Sequence, residues 1–194
     1  MKDIVFSPLP GYITARPGMH SMRSLLRTRT SHIALVALVV LLLDQVSKAI
    51  VLQSLAYSQE KIIVDGFFKF VHWQNTGAAW SLFSGYNKLL AAVAVVALVI
   101  LFITRHHFDS RSRLGQLALG FIFGGITGNL IDRLRFGHVV DFLYFYLQQR
   151  DGREIGFPAF NIADSAICTG VVLVFLITWR SDHAPKSAES PASK

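Results

Sequence analysis

Residues 32–52 read HIALVALVVLLLDQVSKAIVL, an apolar run whose only charged residues are Asp44 and Lys48. A helix needs about 20 mainly apolar residues to cross the hydrocarbon core of a bilayer, and this run has that length. Three further apolar runs follow, at residues 89–104, 114–134 and 161–179. The sequence therefore predicts an α-helical integral membrane protein with four transmembrane helices.

The composition favours the same class of protein. Of the 194 residues, 52% are hydrophobic and 16% are charged, whereas a soluble domain carries about 25% charge. The formal net charge is +7 at pH 7, but the basic residues flank the apolar runs and form no stripe among aromatic residues. We therefore expect no nucleic-acid partner. The single cysteine, Cys168, excludes a disulfide framework and a thiolate metal cluster.

The first apolar run also has features of a cleaved signal peptide, because it follows a basic stretch and is followed by Ser54-Leu55-Ala56. A signal-peptide core has about 7–15 apolar residues and lacks charges. The run is longer than that and contains two charges, so we interpret it as a retained helix.

Lys and Arg are distributed unevenly between the loops. Eleven of the 19 lie before the first run, between the second and third, or after the fourth. Cytoplasmic loops carry the excess of basic residues. The sequence therefore predicts that both termini are cytoplasmic and that the loops at about 53–88 and 135–160 face outward.

Both ends of the chain are rich in polar and turn-forming residues. Residues 1–30 contain several Pro and Gly and no apolar period, and we expect a disordered cytoplasmic leader, within which Met19 or Met22 are alternative starts. Residues 181–194 are expected to form a disordered cytoplasmic tail. The membrane domain is therefore assigned to residues 31–180.

The first outer loop contains a hairpin signal. Residues 61–75 read KIIVDGFFKFVHWQN, with Asp65-Gly66 between two β-prone runs. Aromatic side chains suit the membrane–water interface, so we expect a small outer-face hairpin on the outer leaflet. Ordinary packing against the helix ends is the alternative. The second outer loop has an aromatic stretch at 139–147 and a polar turn at 149–153.

Charged residues inside apolar helices need a reason, because each costs at least about 2.5–3.5 kcal/mol near the bilayer centre. Asp44 and Lys48 are four residues apart and can pair; a structural ion pair and a direct role with substrate both remain open. Asn129, Asp132 and Arg133 also share one helical face. Asp132 and Arg133 are candidates for an interfacial ion pair.

Small residues in the third run have a regular spacing. Gly120, Gly124 and Gly128 recur every four residues. This pattern lets a second helix backbone approach closely, so we interpret these glycines as a packing surface.

A last group joins Asp141, just after the third run, to Asn161 and Asp164 at the start of the fourth. On the predicted topology both carboxylates lie at the outer boundary. Two carboxylates a few ångströms apart cannot both ionise easily, so such a pair shares a proton near neutral pH. One member can then act as a base and the other as an acid. Helix capping and interfacial anchoring are the alternative roles.

Together these residues resemble the motif set of the bacterial lipoprotein signal peptidases, the signal peptidase II family. The matches are NTGAAW at 75–80, GNLIDR at 128–133, VVDF at 139–142, FNIAD at 160–164, and the group of Asp44, Gln45 and Lys48. Each motif is weak alone, but their order and spacing over residues 31–180 make the resemblance specific.

The resemblance implies an aspartic endopeptidase without metal or cofactor, in which Asp141 and Asp164 are the catalytic pair. The implied substrate is a diacylglyceryl-modified prolipoprotein, cut before its lipidated cysteine so that the signal peptide is removed. Further residues are implied to bind substrate or support the site: Asn75, Asn129, Arg133, Asn161 and Asp44.

The resemblance also implies a location. The protein would be a multi-pass protein of the bacterial cell inner membrane, with its active site at the periplasmic face and membrane lipids as partners. We expect a monomer. The outer hairpin would then cradle the substrate's lipid and signal helix, and the aromatic loop after Asp141 would cover the site.

Three other classes compete with this interpretation. A transporter would use Asp44, Asp132 and Asp164 as an ion relay, and flux through liposomes would favour it. A metalloenzyme would use His138, Asp141 and Asp164 as ligands, and activity that survives EDTA would exclude it. A scaffold would use the polar residues for packing alone, which does not explain why they gather at one depth.

Overall fold

The computed structural model describes residues 19–77, 83, 85–106 and 112–182, with side chains between residues 30 and 180. Within these residues it contains four helices: α1 (Met19–Ser54), α2 (Asn87–Thr104), α3 (Arg113–Phe136) and α4 (Ile162–Asp182). Each contains a segment long and apolar enough to cross a membrane: Thr30–Ser54, Asn87–Thr104, Arg113–Phe136 and Ile162–Arg180. The predicted set of four such helices is confirmed.

The two chain ends are described only in part. Helix α1 begins at Met19, inside the segment expected to be a disordered leader. Residues 1–18 and 183–194, which hold the rest of the expected leader and nearly all of the expected tail, lie outside the described residues. The expectation for both ends stays a prediction.

Helix α3 lies at the centre of the bundle. It packs against α1 on one face and α4 on another, because small residues line both contacts. A Cβ atom added to Gly124 would lie 2.6 Å from the carbonyl oxygen of Ala37 in α1. One added to Gly125 would lie 2.5 Å from the carbonyl oxygen of Ala163 in α4. The glycines therefore form a packing surface, as their spacing predicted.

The outward surface of the helices is apolar. Large exposed side chains include Leu42 and Val46 of α1, Val96 of α2 and Phe175 of α4. Several charged and amide side chains are buried instead, at one end of the bundle. This arrangement suits a protein surrounded by lipid, in which polar side chains face the bundle interior.

A four-stranded antiparallel sheet lies at that same end. Its strands are β1 (Glu60–Val64), β2 (Phe68–Asn75), β3 (Val139–Gln148) and β4 (Glu154–Gly156), in the spatial order β1-β2-β3-β4. The predicted hairpin is confirmed, and Gly66 in its turn has a φ of 71°. Glycine adopts this conformation without strain.

One prediction for the second outer loop is wrong. The aromatic stretch 139–147, expected to be part of a loop, is an inner strand, β3; that the part after Asp141 covers the site stays a prediction. Its aromatic side chains pair across the ladder with those of β2, for example Phe145 with Phe68. Aromatic cross-strand pairs stabilise a sheet. In this chain the paired side chains come from segments some 70 residues apart, and hydropathy alone does not connect such segments.

The register of β2 and β3 brings the two outer loops together. Asn75 at the end of β2 is opposite Val139, and Trp73 is opposite Asp141. A register shift between Phe70 and Trp73 bends β2 at this point. The sheet therefore carries Asn75 and Asp141 to the same place, beside the start of α4.

Candidate functional site

Asp141 is a buried carboxylate on β3, with 3% of its surface exposed. Its Oδ2 accepts a hydrogen bond from Nδ2 of Asn75 at 3.0 Å, and its Oδ1 accepts one from Nδ2 of Asn161 at 2.9 Å. Burial, followed by the charge of Asp164, raises the pKa of Asp141 to about 7, against the opposing effect of these hydrogen bonds and of Lys48. A proton on this group is therefore exchanged near neutral pH.

Asp164 lies in the first turn of α4 and takes part in a reciprocal cap with Asn161. The backbone N–H of Asp164 donates to Oδ1 of Asn161 at 3.0 Å, and the backbone N–H of Asn161 donates to Oδ2 of Asp164 at 3.2 Å. This is the capping-box arrangement with an aspartate in the acidic position. Helix capping, the alternative role for Asp164, is therefore confirmed for one of its two carboxylate oxygens, Oδ2.

The other oxygen of Asp164 faces the bundle. Its Oδ1 accepts a hydrogen bond of 2.7 Å from Nδ2 of Asn129 in α3. The positive end of the α4 dipole also favours a carboxylate in this turn. Asp164 is therefore held by two elements, α3 and its own helix.

Asn161 connects the two carboxylates. It has no exposed surface, its Nδ2 donates to Asp141, and its Oδ1 accepts from the backbone of Asp164. Asn161 thus contacts both carboxylates, that of Asp141 through its amide nitrogen and that of Asp164 through its backbone N–H, although the sheet carries one and a helix the other.

Behind this pair lies Lys48, a buried cation of α1. Its Nζ is 2.9 Å from Oδ2 of Asp44, 2.8 Å from Oδ2 of Asp132 and 3.0 Å from Oδ1 of Asn129. The ammonium holds the oxygen of Asn129, so the amide nitrogen of Asn129 points to Asp164. Lys48 is therefore linked to the carboxylate pair through one side chain.

Asp44 supports α4 and makes no described hydrogen bond to Asp141 or Asp164. Its Oδ1 accepts a hydrogen bond of 3.0 Å from the backbone N–H of Ala163, in the first turn of α4. Its Oδ2 binds Lys48. The same oxygen would lie 2.5 Å from a Cβ atom added to Gly128, so the missing side chain of Gly128 leaves room for this carboxylate. The ion pair with Lys48, one of the two roles that the sequence left open for Asp44, is confirmed. Asp44 also caps the start of α4.

Arg133 contacts the loop after β2. Its guanidinium donates to the carbonyl oxygen of Gly77 at 2.9 Å, while its buried Nε has no partner. The N–H of Gly77 donates to Oδ1 of Asn75 at 2.9 Å, so one short loop joins Arg133 to the amide that binds Asp141. Residues 78–80 of the NTGAAW motif lie outside the described residues.

The proposed ion pair between Asp132 and Arg133 is wrong. Adjacent residues on a helix do not face each other; Asp132 turns inward to Lys48 and to the N–H of Val140, at 2.8 and 3.2 Å. Arg133 turns to the loop. The three polar clusters read from the sequence thus form one connected network, in which Lys48 and Asp132 are the members that were missing from the predicted site.

Two competing classes lose support from these contacts. In the described part of the chain no group of three or more His, Cys, Asp and Glu side chains is arranged to hold a metal ion. The proposed metal site of His138, Asp141 and Asp164 is not such a group. Asp44 and Asp132 share one ammonium, so they do not form steps of a relay spread across the bilayer.

Comparisons with known proteins identify the family of the chain. The lipoprotein signal peptidase of Neisseria gonorrhoeae is 44% identical over 146 residues, which cover 72% of this chain and 84% of that protein. The lipoprotein signal peptidase of Geobacter metallireducens is 39% identical over 153 residues, which cover 77% and 91%.

A solved structure and a family model complete the comparison. The structure, described as a bacterial membrane enzyme determined by the in meso method at 2.3 Å resolution, aligns with a TM-score of 0.66 at 31% identity and covers 81% of this chain and 93% of its own. The family model for signal peptidase (SPase) II matches residues 36–180. The chain is a membrane-spanning peptidase and belongs to the signal peptidase II family.

Proposed function

We propose that this protein is an aspartic endopeptidase that removes the signal peptide from diacylglyceryl-modified prolipoproteins, cutting before the lipidated cysteine. The observation that carries the proposal is a pair of carboxylates, the buried one of Asp141 and the half-buried one of Asp164, that both accept a hydrogen bond from Asn161. The names of the relatives, lipoprotein signal peptidases, support the substrate class.

The chemistry follows from one proton shared by the pair. The ionised carboxylate takes a proton from water, whose oxygen attacks the scissile carbonyl carbon, while the protonated carboxyl donates its proton to the carbonyl oxygen. As the tetrahedral intermediate collapses and the C–N bond breaks, one of its hydroxyl groups returns a proton to the carboxylate that had donated it, and the proton taken from water passes to the leaving amine of the cysteine. The pKa of Asp141, raised to about 7, supports this role because it allows exchange at neutral pH.

The surrounding side chains support the pair in two ways. Asn75, Asn129 and Asn161 donate to the carboxylates and fix their orientation. Arg133 orients the substrate backbone, since it lies against the loop at Gly77 and has one buried N–H without a partner. Asp44 acts indirectly, through the start of α4.

The location of the site fits a lipid-anchored substrate. We place the termini in the cytoplasm, the chain in the bacterial inner membrane and the site at the periplasmic face. Exposed apolar residues of the sheet and of the segments beside its strands, including Ile62, Phe67 and Phe157, then contact the outer leaflet. A substrate held by its lipid has its scissile bond at this depth, which makes the encounter effectively intramolecular. The protein works as a monomer in this arrangement.

The test follows cleavage of a diacylglyceryl-modified prolipoprotein peptide by the purified protein in detergent. Wild type should cut before the lipidated cysteine, and Asp141→Asn and Asp164→Asn should each remove this activity while the proteins stay folded. Asp151→Asn is the matched control, because Asp151 is exposed in the β3–β4 turn and loses the same charge. An inactive wild type, or near-normal turnover in either site variant, would refute the proposal.

The orientation has its own test. Cysteine introduced at Asp151, in a chain in which Cys168 is replaced by Ala, should react with a membrane-impermeant maleimide added outside intact cells stripped of their outer membrane. Labelling only after lysis would place the sheet in the cytoplasm instead.

A further inference from the structure

A second buried cation lies in the sheet, outside the network at the carboxylates. Lys69 of β2 is 4% exposed. Its Nζ is 2.6 Å from Oε2 of Glu60 and 2.8 Å from Oε2 of Glu154. Glu60 begins β1 and Glu154 begins β4, which are the two outer strands of the sheet. One ammonium therefore connects the opposite edges of a four-stranded sheet.

The ammonium reaches β4 by passing over β3. It lies 5.3 Å from the ring centroid of Tyr144 and 4.7 Å from that of Tyr146, distances at which a cation is attracted to an aromatic face. Burial opposes the charge of Lys69, but the hydrogen bonds to Glu154 and Glu60 outweigh it and raise the pKa of Lys69. The cation is therefore maintained at neutral pH, together with both ion pairs.

Strand β4 has few other contacts that fix it. It has three residues, all exposed, and pairs with β3 through Gln148, Leu147 and Tyr146. The Tyr144 ring packs directly on Gly156. A strand this short, without a buried apolar side chain, gains little from the hydrophobic effect, so the ion pair of Glu154 with Lys69 adds to the few described contacts that hold it.

The chain after β4 returns along β3 towards the carboxylates. The N–H of Phe157 donates to the carbonyl oxygen of Phe145, and Phe160 exchanges two hydrogen bonds with Leu143. The next residue is Asn161, whose amide binds Asp141. Residues 154–161 thus run for roughly 20 Å along β3, with Glu154 at the far end and Asn161 at the near end.

We propose that Lys69 is a positioning residue for the peptidase reaction. By holding Glu154, Lys69 fixes the far end of the returning segment 154–161, whose near end places Asn161 between Asp141 and Asp164. The proposal rests on the proposed function, in which those two carboxylates act together. Loosening the segment lets Asn161 move away from Asp141, which lowers turnover.

The two glutamates provide a matched pair of variants. Glu154→Gln and Glu60→Gln each remove one carboxylate and leave Lys69 paired with the other, so neither isolates a buried charge. In Glu154→Gln we expect roughly three- to tenfold faster hydrogen exchange at the amides of Phe157 and Phe160, and a fall in kcat of similar size. Glu60→Gln should stay within about twofold of wild type in both measurements.

Two further readouts separate positioning from general stability. The alkaline limb of the pH profile should move upward in Glu154→Gln, because the hydrogen bond from Asn161 favours the ionised form of Asp141. It should not move in Glu60→Gln. Lys69→Arg keeps a cation that can bind both carboxylates. It should therefore retain both the turnover and the slow hydrogen exchange of wild type.

The outcomes distinguish the two proposals. Equal kcat values in the two Gln variants, or faster exchange in Glu154→Gln with unchanged kcat, would overturn the positioning role. Hydrogen exchange needs no substrate. If wild type fails to cleave the lipidated peptide, the proposed function fails. Faster hydrogen exchange in Glu154→Gln than in Glu60→Gln would then show that Lys69 has a structural role alone.

Discussion

Four aspartates lie close together at one end of the bundle, three of them buried and Asp164 half-buried, and they form two pairs with different partners. Asp44 and Asp132 each bind the ammonium of Lys48, at 2.9 and 2.8 Å. Asp141 and Asp164 have no cation within ion-pair distance among the described residues. Their side-chain donors are amides, those of Asn75, Asn129 and Asn161.

This difference in partners gives the same residue type two roles. An ammonium in contact compensates the charge of a buried carboxylate, and removing one member of such a group is strongly destabilising. Neutral amide donors orient a carboxylate and still leave two neighbouring carboxylates able to share a proton. On the proposed function, the Lys48 group is a structural support, and the Asn161 group is where a proton moves.

The largest expected effect comes from removing a proton carrier. Asp141→Asn and Asp164→Asn should each lower kcat roughly 10³-fold, because general acid–base catalysis contributes about 10²–10⁴-fold. Their unfolding temperatures should change by only a few degrees, since about 1 kcal/mol corresponds to about 2–4 °C in a chain of this size. Peptide cleavage and thermal unfolding in detergent measure the two quantities. A large loss of stability would mean that this pair is structural as well.

The opposite pattern is expected for the Lys48 group. Lys48→Met leaves Asp44 and Asp132 buried without a cation, and it should lower the free energy of unfolding by about 3–5 kcal/mol. Lys88→Met is the control, because Lys88 is exposed and loses the same charge. Denaturation in detergent compares the two variants; equal stability would show that the buried ion pairs contribute nothing net.

The pH profile tests the shared proton. The proposed mechanism requires one proton on the pair, and the pKa of Asp141 is raised to about 7. Cleavage should therefore fall as pH rises above about 7, by about tenfold per unit. Asn75→Ala removes a hydrogen bond that favours the ionised form, so the pKa rises further and this limb should move up by about one unit.

A control for this profile is available in the same strand. Gln74→Ala removes an amide from the exposed neighbour of Asn75 and should leave the limb in place. The same shift in both variants would point to a general effect on the sheet instead of an effect on Asp141.

The smallest effect is expected from a chelator. The carboxylate pair is bound by amides, so EDTA should change the rate of cleavage by less than about twofold, within the effect of exposed charges and ionic strength. The measurement uses the same lipidated peptide, with and without added zinc after chelation. Loss of activity that zinc restores would favour the metalloenzyme interpretation.

Local patterns accounted for the parts of the fold that are decided within one segment. Length and hydropathy identified the four helices, and Asp65-Gly66 identified the hairpin. The spacing of Gly124 with its neighbours identified a packing surface. Each of these features depends on residues that are close in sequence, which is why periodicity and turn chemistry predict them.

The connections between segments could not be read in this way. Nothing local assigns Lys48 to Asp132, 84 positions away, or pairs β3 with β2. Arg133 was grouped with Asp132 because they are adjacent, yet their side chains point to different elements. Hydropathy identified which residues are unusual in a membrane, and the helix packing decided which of them meet.

The hydrogen bond from Ala163 to Asp44 joins residues 119 positions apart, and this has a consequence for biosynthesis. The first-turn amides of a helix entering a bilayer have no partners within the helix, and lipid offers none. Helix α4 obtains one from α1, at a place where Gly128 of α3 leaves room for it. The last of the four described helices therefore completes its own first turn and the carboxylate pair in one docking event. On the proposed function, a nascent chain that lacks α4 is proteolytically inert, and peptidase activity begins only after all four helices have packed.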